Sequence, residues 1–268
     1  MTKPINELDE KGFPVIQYVD DTLILLKASQ REVFSFKAWL NSFAHSTGLK
    51  VNYYKSCLYP INLSHENAAF FAGLLRCNIG TMPFTYLGLT MGTTRPRVVD
   101  FAPLVDRVER RLTASSQFLP QGGRLTLINS VLSSIPTYYM CSLQLPISVV
   151  KAIDTSRKNC LWRGNNPTST RRSLASWDLV GRPKDKGGLG VINLRVQNIA
   201  LLLKHLVKFY KGHDLPWVQL IWNLYYKSKV LHLVWNKGSF WWRDIVALTD
   251  VFRGTSNCRI RTRSSVLF

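Results

Sequence analysis

Residues 13–26, FPVIQYVDDTLILL, are two apolar runs rich in β-formers, separated by the pair Asp20-Asp21. Val, Ile, Tyr and Thr suit an extended, half-buried backbone and Asp does not, so the stretch predicts a β-hairpin with both aspartates at its turn. Two adjacent carboxylates repel, and a compensating group is expected. A divalent magnesium ion is the natural one, because hard cations take carboxylate oxygens and keep positions open for water and phosphate. An Asp-rich turn would also contain such a pair, so the pair alone does not decide.

Outward from the hairpin, Ser29-Gln30-Arg31-Glu32 reads as a capping box opening a helix to about Thr47. Val33, Phe36, Leu40 and Phe43 keep helical spacing, Gly48 supplies a left-handed stop, and the helix is expected to cover one sheet face. Residues 49–59 read as a strand, and residues 84–89 as another closed by Gly92. After Pro96 the periodicity turns helical: Leu104, Val108 and Leu112 form one stripe, Leu125, Ile128, Val131, Leu132 and Ile135 a second, and Val150, Ile153 and Leu161 a third. Residues 164–190, with RGNNPTSTRR and RPKDKGGLG, read as an irregular, exposed connection and the clearest boundary. Beyond it Ile199, Leu202, Leu206 and Phe209 form an apolar stripe, with Lys204, Lys208 and Lys211 on another face of the same helix. Trp217, Trp222, Trp235, Trp241 and Trp242 follow, with core packing as their simplest role, and a basic tail ends the chain. The expected organisation is α+β: a mixed α and β region at 1–98, a helical region at 99–165, the connection at 166–192, a basic helical region at 193–252 and a disordered tail at 253–268.

Charge points to the partner. The 268 residues hold 35 Lys and Arg against 16 Asp and Glu, a formal +19. Residues 1–134 carry 14 basic and 10 acidic side chains, residues 135–268 carry 21 and 6, so the footprint of a polyanion falls mainly on the second half. With 46% hydrophobic residues the chain can bury at least two cores, which excludes a purely solvated basic arm. Cys57, Cys77, Cys141, Cys160 and Cys258 show neither disulfide-framework nor zinc-ligand spacing and read as buried free thiols. His205, His213 and His232 read as helix-surface or partly buried residues. The start, MTKPINELDEKG, lacks an apolar signal core, and no stretch is long enough to span a bilayer, so a soluble intracellular protein is expected, with no membrane partner.

Tyr18-Val19-Asp20-Asp21 between apolar strands resembles the Tyr-x-Asp-Asp hairpin of reverse-transcriptase palms. In chain order GLKVNYYKS (48–56) resembles the next palm segment, and FTYLGLTMG (84–92) the primer-contacting hairpin. APLVDRVERRL, GGRLTLINSVLSSIPTYYM and SWDLVGRPKDKGGLGVINLRVQNIALLLKHLVKFY resemble the region downstream of the palm in plant non-LTR (LINE-type) retrotransposon polyproteins, from about residue 13 to 222. The resemblance implies an incomplete palm at 1–98 followed by a helical thumb-like region at 99–165, and RNA-directed DNA polymerisation on an RNA template and DNA primer, with deoxynucleotides and Mg2+. It implies that Asp20 and Asp21 hold catalytic metal, that Tyr18 and Tyr86 lie beside the primer, and that Lys55 assists the leaving pyrophosphate. Lys204, Lys208 and Lys211 are candidate phosphate-backbone contacts.

The chain also departs from that pattern. Two-metal phosphoryl transfer needs carboxylates on both sides of the ions. The family draws one from an earlier strand, whereas only Glu7, Asp9 and Glu10 precede the hairpin, without apolar flanks. Asp100 and Asp106 lie in the helical region and have no reason to face it. The expectation is a C-terminal piece of a reverse transcriptase that is inactive alone, with weak or absent metal binding. A non-catalytic nucleic-acid-binding module and a decayed gene product are the rivals.

Overall fold

The computed structural model describes residues 15–112, 118–164, 170–211, 215–226 and 238–256. Glu7, Asp9, Glu10, the first two residues of the 13–26 stretch, His213, His232, Trp235, Cys258 and most of the C-terminal tail lie outside them. The fold is α+β and rich in helix, in two compact units, Met1–Tyr86 and Leu87–Phe268.

In the first unit β1 (Val15–Tyr18) and β2 (Asp21–Ile24) pair antiparallel, from Val15 opposite Ile24 to Tyr18 opposite Asp21. The hairpin forms as expected, but its two-residue turn is Val19 and Asp20, and Asp21 opens the second strand instead of sitting in the turn. Helix α1 (Gln30–Thr47) begins where the Ser29 hydroxyl accepts the Glu32 N–H at 3.3 Å and ends at Gly48, whose φ of 75° lets its N–H reach the Ala44 carbonyl. Only half of the capping box forms as expected. The Glu32 carboxylate accepts from the Lys27 N–H at 3.1 Å, because the Ser29 N–H is already spent on the Lys27 carbonyl.

Val33, Phe36 and Leu40 are buried, whereas Phe43 is exposed and stacks on Trp39 at 6.0 Å. The buried face meets Phe71 and Leu75 of α2 (His65–Leu75), and Ile24, Leu26 and Leu58 pack against the same cluster. The Lys37 ammonium crosses to the Leu74 carbonyl at 2.5 Å. Helix α1 thus shares its core with a second helix as well as with the hairpin. β3 (Cys57–Leu58) pairs parallel with β4 (Asn78–Ile79), with α2 as the crossover.

Two strand expectations are corrected. Within residues 49–59 only Cys57–Leu58 is strand: the Lys55 N–H bonds both the backbone carbonyl and the side-chain oxygen of Asn52, at 3.1 and 3.2 Å, and the Ser56 hydroxyl bonds the same carbonyl. These short polar side chains offer the backbone a turn in place of a ladder. Residues 84–89 are not one strand, because Leu87 and Gly88 both take positive φ between β5 (Phe84–Tyr86) and β6 (Leu89–Met91). The division of the chain falls at this turn, not near residue 98.

The second unit is helical. A 3-10 turn (Val98–Phe101) leads into α3 (Ala102–Arg111), followed by α4 (Gln121–Leu127), a π-turn (Ile128–Leu132), α5 (Thr137–Ser142) and α6 (Ile147–Arg163). The anticipated stripes build its core: Leu104, Val108, Leu112, Ile128, Leu132, Ile153 and Leu161 are buried together. Burying their apolar area is the main stabilising term, about 25 cal/mol per Å2.

The connection read as a boundary lies inside this unit. Its described residues are largely exposed as expected, but Val180, at the end of the short helix α7 (Trp177–Val180), and Val191 are buried in the α3–α6 core. Arg157 of α6 pins it there. Fully buried, its guanidinium donates to Asp154 (2.7 Å), the Ser133 hydroxyl (2.9 Å) and the Ile192 carbonyl (2.8 Å), and lies 5.4 Å from the Trp177 ring centre. Asp154 and the carbonyl partner offset the desolvation of the charge. Ser133 also explains the π-turn: its N–H and hydroxyl both reach back to the Ile128 carbonyl, five residues earlier.

Helix α8 (Leu194–Tyr210) is clamped by buried Asn198, whose side chain accepts from Leu145 N–H and donates to the Met140 and Leu143 carbonyls. Its other end, with α9 (Pro216–Tyr225), α10 (Phe240–Val246) and α11 (Thr249–Thr255), encloses an aromatic core. Phe209 stacks on Trp222 at 5.0 Å and meets Trp242 at 4.7 Å, and Trp217 and Trp241 pack beside them. These four tryptophans are core residues. Among the described residues no helix is long and apolar enough to cross a membrane.

Candidate functional site

The hairpin tip gathers Tyr18, Asp20 and Asp21, all exposed, with Tyr18 directly opposite Asp21. Between them Val19 holds φ at 54°, a region that a β-branched residue rarely enters. The Gln17 side-chain amide braces the turn by donating to the Val19 carbonyl at 3.2 Å. The tip therefore presents two carboxylates without burying either.

Their oxygens are the right kind of donor for a hard divalent cation, but the set is short. Among the described residues no group of three or more His, Cys, Asp or Glu could hold a metal ion. Asp20 and Asp21 are two neighbouring carboxylates, and among the described residues no third ligand joins them in such a group. Asp100 is engaged elsewhere, capping the 3-10 turn by accepting from the Arg97 N–H at 2.6 Å, and Asp106 lies on the exposed face of α3.

Lys55 belongs to the Asn52 turn of the same unit and is exposed; among the described residues neither Asp20 nor Asp21 forms an ion pair with it. Its neighbour Tyr54, not singled out from the sequence, is the most solvent-exposed large hydrophobic among the described residues, at 92%. Alternation in an assumed strand concealed it; the Asn52-x-x-Lys55 turn signal would have revealed it. Tyr86 is half-buried, and its hydroxyl is out of solvent with no hydrogen-bond partner among the described residues.

Lys204, Lys208 and Lys211 are exposed along and just after α8, opposite buried Leu202, Leu206 and Phe209, as the periodicity predicted. His205 on the same helix points inward, its Nε2 at 2.9 Å from the Cys141 carbonyl and its ring edge-on to Trp217 and Trp241. Burial, with a smaller push from Lys208, holds its pKa below the usual histidine value despite the carbonyl contact.

Divided by unit, the charge is more polarised than by halves. The 86 residues of the first unit carry 8 basic and 7 acidic side chains; the second unit carries 27 and 9. Almost the whole excess of +19 resides in the helical unit.

No family model matches the chain. It is 31% identical over 157 residues to an Arabidopsis thaliana protein named "Putative ribonuclease H protein"; the match covers 56% of this chain and 25% of that protein. The chain thus spans about a quarter of the length of this relative.

Proposed function

We propose that the chain is a piece of a non-LTR retrotransposon reverse transcriptase whose helical unit holds nucleic acid by its phosphates, while the hairpin contributes two of the carboxylates that polymerisation requires. The observation that carries this reading is the folded Tyr18-Val19-Asp20-Asp21 tip: the tetrad sits at a tight antiparallel turn, with both carboxylates free to meet a metal-bound nucleotide. The partners would be an RNA template and a DNA primer, with deoxynucleotides and Mg2+ for the chemistry. Tyr18 would flank the primer end and Lys55 would sit on the pyrophosphate side. The name of the Arabidopsis relative agrees with a nucleic-acid setting. Ribonuclease activity is not carried over, because the chain spans only about a quarter of that relative.

The second reading, a nucleic-acid-binding module without chemistry, is favoured by one feature: the charge lies in the unit without the aspartates. Both readings require binding governed by counterion release, with affinity falling steeply as salt rises. Fluorescence anisotropy with labelled single-stranded RNA and DNA tests this. Replacing Lys204, Lys208 and Lys211 by Glu should weaken binding on all sequences alike and flatten the salt slope; unchanged affinity would remove α8 from the contact surface.

A further inference from the structure

We infer that the Arg182–Gly190 turn of the connection is a built phosphate-backbone contact for nucleic acid, a second site beside α8; this rests on the nucleic-acid reading above. Within the turn the chain folds tightly on itself. The N–H groups of Lys186 and Gly188 donate to the Pro183 carbonyl, that of Gly187 to Lys184, that of Gly190 to Arg182, and those of Leu189 and Val191 to Val180. Every N–H from 186 to 191 is thus used within the protein, so that stretch offers an anion no free backbone donor. Phosphate recognition by the turn falls mainly to its side chains.

The side chains are suited to it. Arg182, Lys184 and Lys186 are exposed and, among the described residues, none forms an ion pair, although Asp178 and Asp185 lie close in sequence. Glycine makes their presentation possible: Gly187 and Gly190 hold φ at 77° and 69°, and a Cβ at Gly188 would collide with the backbone carbonyl of Arg182. On either side the turn is anchored in the core by Val180 and Val191, with Arg157 holding the Ile192 carbonyl beyond. Three unpaired cations on a rigid turn lose little entropy on meeting a polyanion. A solubility device would need neither the rigidity nor the glycines. No exposed aromatic lies in the turn, so bases would not be stacked there, and the contact would be independent of sequence.

The test compares the full chain with a triple variant, Arg182→Gln, Lys184→Gln and Lys186→Gln, which alters only exposed side chains. Anisotropy is followed with labelled oligouridylate and a random DNA oligonucleotide across a salt series, and with phosphatidylserine vesicles. The expected result is a loss of about tenfold or more in nucleic-acid affinity and a salt slope shallower by about 2, equal on both single-stranded oligonucleotides. Gly188→Val, which leaves charge unchanged, should also weaken binding while circular dichroism stays helical. Wild-type affinity and slope in the triple variant would overturn the proposal and leave the nucleic-acid reading standing. Salt-independent or absent binding by the wild type would overturn that reading, and this one with it. If the wild type prefers vesicles and the triple variant loses that preference alone, the turn faces anionic lipid, and the proposal is wrong.

Discussion

Arg157 sits where an arginine is most costly, with no solvent exposure and four contacts drawn from α6, the π-turn and the connection. Removing one member of such a set strands the others, so Arg157→Ala should destabilise the helical unit by about 3 to 5 kcal/mol, read as a lower urea midpoint by circular dichroism. From the sequence this residue looks like one more helix-surface cation, because its partners lie 24 and 35 residues away. His205 was legible as partly buried, and its pH effect follows from geometry. Its pKa in the folded protein lies below the unfolded value of about 6.5 because burial disfavours the imidazolium. The unfolded chain therefore takes up the proton first as pH falls. The contribution of His205 is fully present above that value and is lost as pH falls through the folded one. Urea melts at neutral and mildly acidic pH should show the helical unit weakening on acidification, and less so in His205→Gln, which keeps a donor for the Cys141 carbonyl. Thiol chemistry divides likewise: burial raises the Cys160 thiol to about 11, whereas Cys57 is exposed. Labelling with a maleimide and mass spectrometry should modify Cys57 promptly and Cys160 only on unfolding.

Elements with one strong periodicity were legible, and those decided by a short polar side chain were not. The hairpin, α1, α3, α6 and α8 all announce themselves through alternation or stripes at helical spacing. Residues 49–59 were misread because Val and Tyr favour strand locally, while Asn52 captures the backbone N–H of Lys55. Helix α2 went unread between them, although Ser64 caps it by accepting the Asn67 N–H at 3.3 Å. Ser64→Ala should lower the stability of the first unit by about 1 kcal/mol, measurable as earlier hydrogen exchange across His65–Leu75. A null effect would mean that α2 is held by its packing on α1 alone. The connection shows the converse: glycine and proline correctly marked irregular backbone, but two valines in it were enough to make it part of the core.

For the whole molecule, the two units differ sharply in charge. The first carries Asp20 and Asp21 on an exposed hairpin and is nearly neutral; the second carries almost all of the excess positive charge on a frame of buried helices. Charge was countable from the sequence, but its concentration in one unit became visible only once the division at Tyr86 was known. A site with carboxylates on one wall cannot align the attacking and leaving oxygens of a phosphoryl transfer. The most direct measurement of that claim is primer extension by the purified chain on a primed RNA template with deoxynucleotides and magnesium, beside the Asp20→Ala, Asp21→Ala variant, with template binding confirmed in both. The account predicts that both proteins bind the template and that neither extends the primer. Extension by the wild type that is lost in the double variant would contradict it, and would mean that a further acidic residue of this chain completes the site.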